Sequence, residues 1–432
     1  MRVLMLSWEY PPVMVGGLGR HVHALATSLV TAGHHVTVVT RHGADAPLEE
    51  EFEGVRIVRA PEDPPLFPLS NDTLLAWTMA FNHALTRAAL HAAKTADGPH
   101  NRPFDIVHAH DWLVTHAAVT LKHSLGVPLI ATIHATEAGR HQGWLPEQMN
   151  RCVHSVEWWL TYEARRVLVC SAYMRWEVSR LFDLPRGKVE VICNGVHAEA
   201  WRPSPRAVAA ARSRFGGEGP LVVYAGRLVY EKGVQDLLAA VPALRDRHPG
   251  LRVVIAGDGP HREGLEQIAR RRRIRRTAAF TGFLEGDELA GLLAAADCLV
   301  APSRYEPFGM VALEAAAAGA PVAAASAGGL AEFVQPGITG LTFPAADVGA
   351  LAEAVDTLLS DEVLARRLTR QARALVIREY AWPAIAERTV SAYQRAVTDE
   401  RALSARVAAG GGPRPRIVVP NGNLLTGEAA SP

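Results

Sequence analysis

The chain is poor in cysteine, in net charge and in long apolar runs, and each shortage removes a class of protein. Its four cysteines, Cys152, Cys170, Cys193 and Cys298, stand apart with no Cys-x-x-Cys spacing. That pattern excludes a disulfide framework and a zinc ribbon and suits a reducing compartment. A formal charge of +1 over 432 residues gives no overall reason to bind nucleic acid. No uninterrupted stretch of about 18 apolar residues is present to span a membrane. The opening MRVLMLSWEY has one early arginine, a short apolar run and then Glu9, the pattern of a strand and not of a secretory leader. A cytoplasmic protein is expected. The densest charge run, Arg270 to Arg276 with Ile274 interrupting, reads as a solvated helix face. It leaves peripheral contact with an anionic surface open, and it lacks the interleaved aromatics that single-stranded nucleic acid requires.

What is present is a repeated alternation of short apolar runs with longer helical patterns. RVLML is a strand, GGLGRHVHALATSLVTAG a helix with Val22, Leu25, Ala26, Leu29 and Val30 on one face, and HVTVVT the next strand. VRIVRA, DIVHAH, PLIATI, RVLVC and VEVICN continue the series, and it restarts after NGVHAEAWRPSP with LVVYAG, RVVIAG, AAFTG, CLVAPS and PVAAAS. Unalternated apolar strands separated by helices indicate parallel sheets buried on both faces. The length calls for two cores, so the expected class is α/β with domains at 1–195 and 196–380. A last helix at about 381–400 is expected to return to the first domain. The polar, glycine- and proline-rich stretch 408–432 reads as a disordered tail.

Three groups of residues carry chemistry. In EYPPVMVGGLGRH, Gly16, Gly17 and Gly19 let the backbone approach a ligand at a helix start, where free N–H groups favour an anion. The spacing is not the dinucleotide fingerprint G-x-G-x-x-G, and the expected ligand is a phosphate or a sugar. In YAGRLVYEKG, Arg227 and Lys232 follow a strand end, where paired cations neutralise a diphosphate and stabilise it as a leaving group. In RYEPFGMVALE, Glu306 lies in the exit loop of the strand CLVAPS and Glu314 in the helix that follows. The amides of Phe308, Gly309 and Met310 at that helix start point at an anion between the two carboxylates. A carboxylate beside bound phosphates makes sense against hydroxyl groups or developing positive charge. The first half adds His110 and Asp111 after DIVHAH and His134 after PLIATI, all at strand ends, where open α/β sheets bind ligands.

Together these motifs resemble the retaining GT-B glycosyltransferases of family 4 over about residues 1 to 400. EPFGMVALEA fits the family's E-x7-E motif, GRLVYEKG its donor-phosphate motif and GGLG its N-terminal loop. HAHDWL and TIHATEAGR are similar to segments of bacterial glycogen and starch synthases. Within the family, SWEYPPVMVGGLGRHVHALA and YEPFGMVALEAAAAG look most like the actinobacterial α-1,4-glucosyltransferases of methylglucose lipopolysaccharide and glycogen synthesis. The resemblance implies two Rossmann-like domains with a deep cleft between them, the first on the acceptor side and the second binding the nucleotide sugar. It implies that Arg227, Lys232, Gly16, Gly17 and the amides of Phe308, Gly309 and Met310 hold the donor diphosphate. Glu314 would bind the ribose, and Glu306, Asp111 and His134 the transferred sugar. The implied reaction elongates an α-1,4-glucan from UDP-glucose or ADP-glucose by front-face displacement, without metal or other cofactor. One residue departs from the pattern: glycogen synthases carry a lysine two positions before the paired glycines, where Met14 stands here, and this leaves UDP against ADP open. Mannosyl or N-acetylglucosaminyl transfer to a lipid or small acceptor is the alternative within the family. A sugar-nucleotide epimerase and a donor-binding regulator are the readings outside it.

Overall fold

The computed structural model describes residues 1–13, 16–43, 45–61, 69–70, 72–96 and 103–409. The expected tail lies, from residue 410 on, outside the described residues, and so does Met14. The chain divides into two compact units, one of Met1–Cys170, Arg175–Ile192 and the stretch from Ile385 on, the other of Ser171–Met174 and Cys193–Ala384.

In the first unit, β1 (Arg2–Leu6), β2 (His35–Arg41), β3 (Glu49–Phe52), β4 (Val55–Ala60), β5 (Ile106–His110), β6 (Leu129–Ile133), β7 (Arg166–Val169) and β8 (Val189–Val191) form one sheet. Its order is β3-β4-β2-β1-β5-β6-β7-β8. All neighbours are parallel except β3, which pairs antiparallel with β4 through Glu49↔Val58 to Phe52↔Val55. The apolar-run criterion misses β3 because EEEF is charged and largely exposed at the sheet edge. In the second unit, β9 (Leu221–Ala225), β10 (Arg252–Ala256), β11 (Ala278–Gly282), β12 (Cys298–Ala301), β13 (Val322–Ala325) and β14 (Leu341–Phe343) run in the order β11-β10-β9-β12-β13-β14. Every residue of β5, β6, β9, β12 and β13 is buried, as helices on both faces of a parallel sheet require.

Strand order reverses at β1 in the first sheet and at β9 in the second. The connections after β1 and β5 therefore run in opposite directions, as do those after β9 and β12, and each such pair of strands flanks a reversal point at its carboxyl ends. Open α/β sheets bind ligands at such reversal points. The helix Gly17–Thr31 follows β1 and buries Val22, Leu25, Ala26 and Leu29, with Val30 half-buried. The helix Met310–Ala318 follows β12.

The last helix, Trp382–Ala408, has 27 residues. Trp382 lies in the second unit, where its indole would be 2.6 Å from a β-carbon on Gly195. From Ile385 the helix belongs to the first unit. Ion pairs fasten it there: Arg165 to Glu400 at 2.6 Å and Arg166 to Asp399 at 2.6 Å, with Glu190 held by both Arg166 and Arg395. Deeper in, the Tyr393 hydroxyl lies 2.7 Å from His108 Nδ1, both side chains wholly buried. Tyr393→Phe removes that partner and leaves a buried imidazole nitrogen unsatisfied, a cost of about 1–3 kcal/mol. Calorimetry is expected to show a lowered melting transition for the variant; an unchanged one would show that the hydroxyl does not fasten the helix.

Candidate active site

In the first unit the loop leaving β1 is organised by Glu9. This side chain is 4% exposed, and its Oε2 accepts the Gly16 N–H at 2.9 Å. The Gly16 amide is thus already engaged within the protein. A β-carbon on Gly16 or Gly17 would meet nothing within 4 Å, so the glycines leave open space at the helix start. One turn on, His21 is buried.

The loop leaving β5 begins with Asp111, whose φ of 61° and ψ of 176° fall in a region that only glycine enters freely. A side chain held there costs about 1–3 kcal/mol. What holds it is visible: its N–H donates to Thr132 O at 3.0 Å, and its Oδ1 accepts the His134 N–H at 2.7 Å. The carboxylate also accepts from the backbone of Ala135. Asp111 therefore ties the end of β5 to the turn after β6, and its oxygens address backbone amides. Burial pushes its pKa up to about 6, against the pull of those amides and of Arg140. Next along the chain, Thr136 caps the short helix Glu137–Arg140 by accepting the Gly139 N–H at 2.9 Å. Glu157, 1% exposed, accepts the Glu137 N–H at 2.8 Å, and burial raises its pKa well above the usual carboxylate range. His134 is pushed down to about 4 by burial and is a neutral imidazole at physiological pH.

In the second unit the loops leaving β9 and β12 meet. Lys232 Nζ donates to Glu306 Oε2 at 2.7 Å, and Ser303 Oγ donates to the same oxygen at 3.0 Å. The other Glu306 oxygen accepts no hydrogen bond among the described residues. Arg227 is exposed and has no ion pair among the described residues, and its carbonyl accepts from the buried Tyr224 hydroxyl at 2.8 Å. Burial, and then the charges of Glu306 and Glu231, push that phenol far up, so it stays protonated. Arg304 makes two bonds to Asp236, at 2.7 and 3.0 Å, and lies 4.8 Å from the centre of the Tyr230 ring. This fixes the loop between Ser303 and Glu306.

Gly309 caps the following helix with φ at 99°, and a β-carbon there would be 2.4 Å from Leu330 Cδ2. The amides of Phe308, Gly309 and Met310 donate to no backbone carbonyl or side chain among the described residues, as at any helix start, and such free amides can take an anion. Glu314 lies on the same helix, 3% exposed among alanines.

The structure thus brings together Lys232, Glu306 and the Phe308–Met310 amides in one unit, and Asp111 and His134 in the other. The sequence reading passed over Ser303, Glu9 and His21, and also the pair Gly328–Gly329. A β-carbon on Gly328 would be 2.1 Å from Glu306 O and one on Gly329 2.4 Å from Pro307 O. The signal was available in AGG directly after the strand PVAAAS.

The family described as Glycosyltransferase Family 4 matches residues 15–200, and that described as Glycosyl transferases group 1 matches residues 206–375. The chain is 46% identical over 407 residues to the glycogen synthase of Mycobacterium tuberculosis, covering 93% of this chain and 96% of that protein. It is 31% identical to the alpha-maltose-1-phosphate synthase of the same organism, covering 91% and 99% of the two chains. Among solved structures, the sucrose-phosphate synthase of Thermosynechococcus elongatus superposes with a TM-score of 0.78 at 27% identity, over 91% of this chain and 98% of that one. With strand-end loops of this kind in both sheets and relatives matched along nearly their whole length, the chain belongs to the GT-B glycosyltransferases of family 4.

Proposed function

We propose that the protein transfers glucose from UDP-glucose or ADP-glucose to the non-reducing end of an α-1,4-glucan, with retention of configuration and without a metal. The observation that carries this reading is the 46% identity to a glycogen synthase over nearly the full length. Particular residues take roles in this proposal, and the geometry of their side chains is consistent with them.

In the second unit, Arg227, Lys232 and the helix-start amides of Phe308, Gly309 and Met310 receive the diphosphate. Their charge is worth most on the oxygens that gain negative charge as the C1–O bond to phosphate breaks. The acceptor O4 bonds to C1 on the face the phosphate leaves, and its proton passes to the departing phosphate oxygen. Lys232 in this scheme neutralises the leaving group, the task a divalent cation performs elsewhere. Glu306, already holding Lys232 through Oε2, keeps its second oxygen for a hydroxyl of the transferred glucose or for the oxocarbenium-like charge at C1. Glu314 is assigned to the donor ribose. In the first unit Gly17 gives backbone room to the diphosphate, and His134 contacts a glucose hydroxyl. Asp111 acts through the two amides it holds and so orients His134.

A second reading follows from the likeness to alpha-maltose-1-phosphate synthase: the acceptor is a small phosphorylated glucose. Product size separates the two. The test incubates purified protein with each nucleotide-glucose and either a short α-1,4-glucan or glucose 1-phosphate, in the presence of EDTA. Nucleotide release with chain lengthening is expected, and Lys232→Ala is expected to lower kcat/KM by about 100–1000-fold. Release coupled only to a disaccharide phosphate would select the second reading. No transfer from either donor would sink both.

Asp111 adds a pH dependence. Its folded pKa of about 6 lies above the ordinary aspartate value of 3.8, so the folded chain holds that proton more tightly than the unfolded one. The stability this contributes is fully present below 3.8 and is lost as pH rises through about 6. Ionised Asp111 is therefore kept at a cost, for the sake of the amides it accepts. Activity is expected to fall as pH drops through about 6, well above the His134 value of about 4. Asp111→Asn is expected to abolish that limb and to be no less stable than the wild type at neutral pH. A limb unchanged in the variant would assign it elsewhere.

A further inference from the structure

Four histidines crowd the end of the first sheet. Ring centres lie 4.1 Å apart for His108 and His110, 5.5 Å for His110 and His134, and 4.7 Å for His21 and His134. His21, His110 and His134 each bring one nitrogen within 4.8 Å of the others. Burial lowers the pKa of His108 and His110 well below the usual imidazole value, as it does for His134. Each of these three rings is neutral at physiological pH and has one N–H and one lone pair.

His108 has no nitrogen left for its neighbours, since Nδ1 meets the Tyr393 hydroxyl and Nε2 the Thr132 hydroxyl, each at 2.7 Å. It packs against His110 by its ring alone. His110 has a single link: its Nδ1 lies 3.1 Å from His134 Nε2. Its Nε2 is wholly buried and meets no hydrogen-bond partner among the described residues.

One proton lies on the link between His110 and His134. On His110 Nδ1, it leaves the buried Nε2 as a bare lone pair. On His134 Nε2, it forces the His110 proton onto Nε2, where no acceptor exists. A buried N–H without an acceptor is the rarer defect in folded proteins. A metal ion bridging the 3.1 Å pair meets the same obstacle, because it needs lone pairs on both facing nitrogens and drives the His110 proton onto that same Nε2.

We propose that His110 is a positioning residue: its Nδ1–H donates to His134 Nε2, fixing His134 as the Nδ1–H tautomer that offers a hydrogen-bond donor to a sugar or phosphate oxygen. The ligand class rests on the glucosyl-transfer reading above; the tautomer does not. The non-titrating ring of His110 thereby decides whether His134 donates or accepts.

The test begins on ligand-free wild-type protein labelled with 15N-histidine. Long-range 1H–15N correlation at pH 7, with His134 assigned by the signal lost in His134→Asn, is expected to show its proton on Nδ1. A proton on Nε2 would overturn the proposal whatever the enzyme's substrate. Two variants then separate positioning from packing. His110→Asn places an amide N–H near the Nδ1 position, and His110→Phe keeps a ring and removes the donor. With nucleotide-glucose and glucan as substrates, kcat/KM is expected to fall by about 10–100-fold in the Phe variant and to be largely retained in the Asn variant. The reverse order would make His110 a packing residue. Where neither variant folds, the wild-type spectrum decides alone. The expected tautomer in a protein that transfers no glucose would overturn the ligand class and leave the tautomer standing.

Discussion

The second unit depends on main chain touching main chain at the carboxyl ends of its strands. A β-carbon on Gly257 would stand 1.9 Å from Gly226 O, one on Gly233 1.9 Å from Pro302 O, and one on Gly259 2.5 Å from Leu228 O. Gly328 and Gly329 lie against the carbonyls of Glu306 and Pro307 in the same way, with the Gly329 N–H on Glu306 O at 2.8 Å. Side chains at these points would wedge the loops apart. Without them, the loops after β9, β10, β12 and β13 form one rigid layer, and the Lys232–Glu306 pair inherits its geometry from that layer. Preorganised charge of this kind stabilises a leaving group without rearranging at the moment of reaction.

The first unit solves the same problem with side chains. Asp111 holds the turn after β6 by accepting two backbone amides, and Glu9 holds the glycine loop by accepting one. Buried carboxylates are costly, as the raised pKa of Asp111 records, and they are kept where amides would otherwise be unpaired. The positive φ of Asp111 belongs to the same arrangement: the strained residue is the one whose carboxylate accepts the His134 main-chain N–H.

Much of this was legible in the sequence, and the reasons differ by residue. Buried parallel strands announce themselves as unbroken apolar runs, so β1, β2, β5, β6, β9, β10, β12 and β13 were all readable. Strand β3 was not, because a glutamate run has no apolar signature; it is held by its backbone pairing and by the ion pairs Glu49–Arg56 and Glu50–Arg59. The strand-end positions of Arg227, Lys232, Glu306, Asp111 and His134 followed from motif plus strand. Which partner each side chain takes did not follow. Asp111 bonds to amides, Glu306 bonds to its own lysine, and His110 joins His134 from a neighbouring strand. These pairings arise between segments far apart in sequence, set by the order β1-β5-β6 and β9-β12, which no single run encodes.

The glutamates of β3 have an effect beyond pairing with β4. They lie on the outermost strand of an eight-stranded sheet, with Phe52 beside them at 55% exposure. An open strand edge with an exposed aromatic ring is a template on which a second molecule adds its own strand. Glu49 and Glu50 are held by Arg56 and Arg59, and the exposed Glu51 keeps a charge on that edge, so two copies meeting there would bring like charges together. A side chain that the chemistry never uses thus guards the outer edge of the sheet.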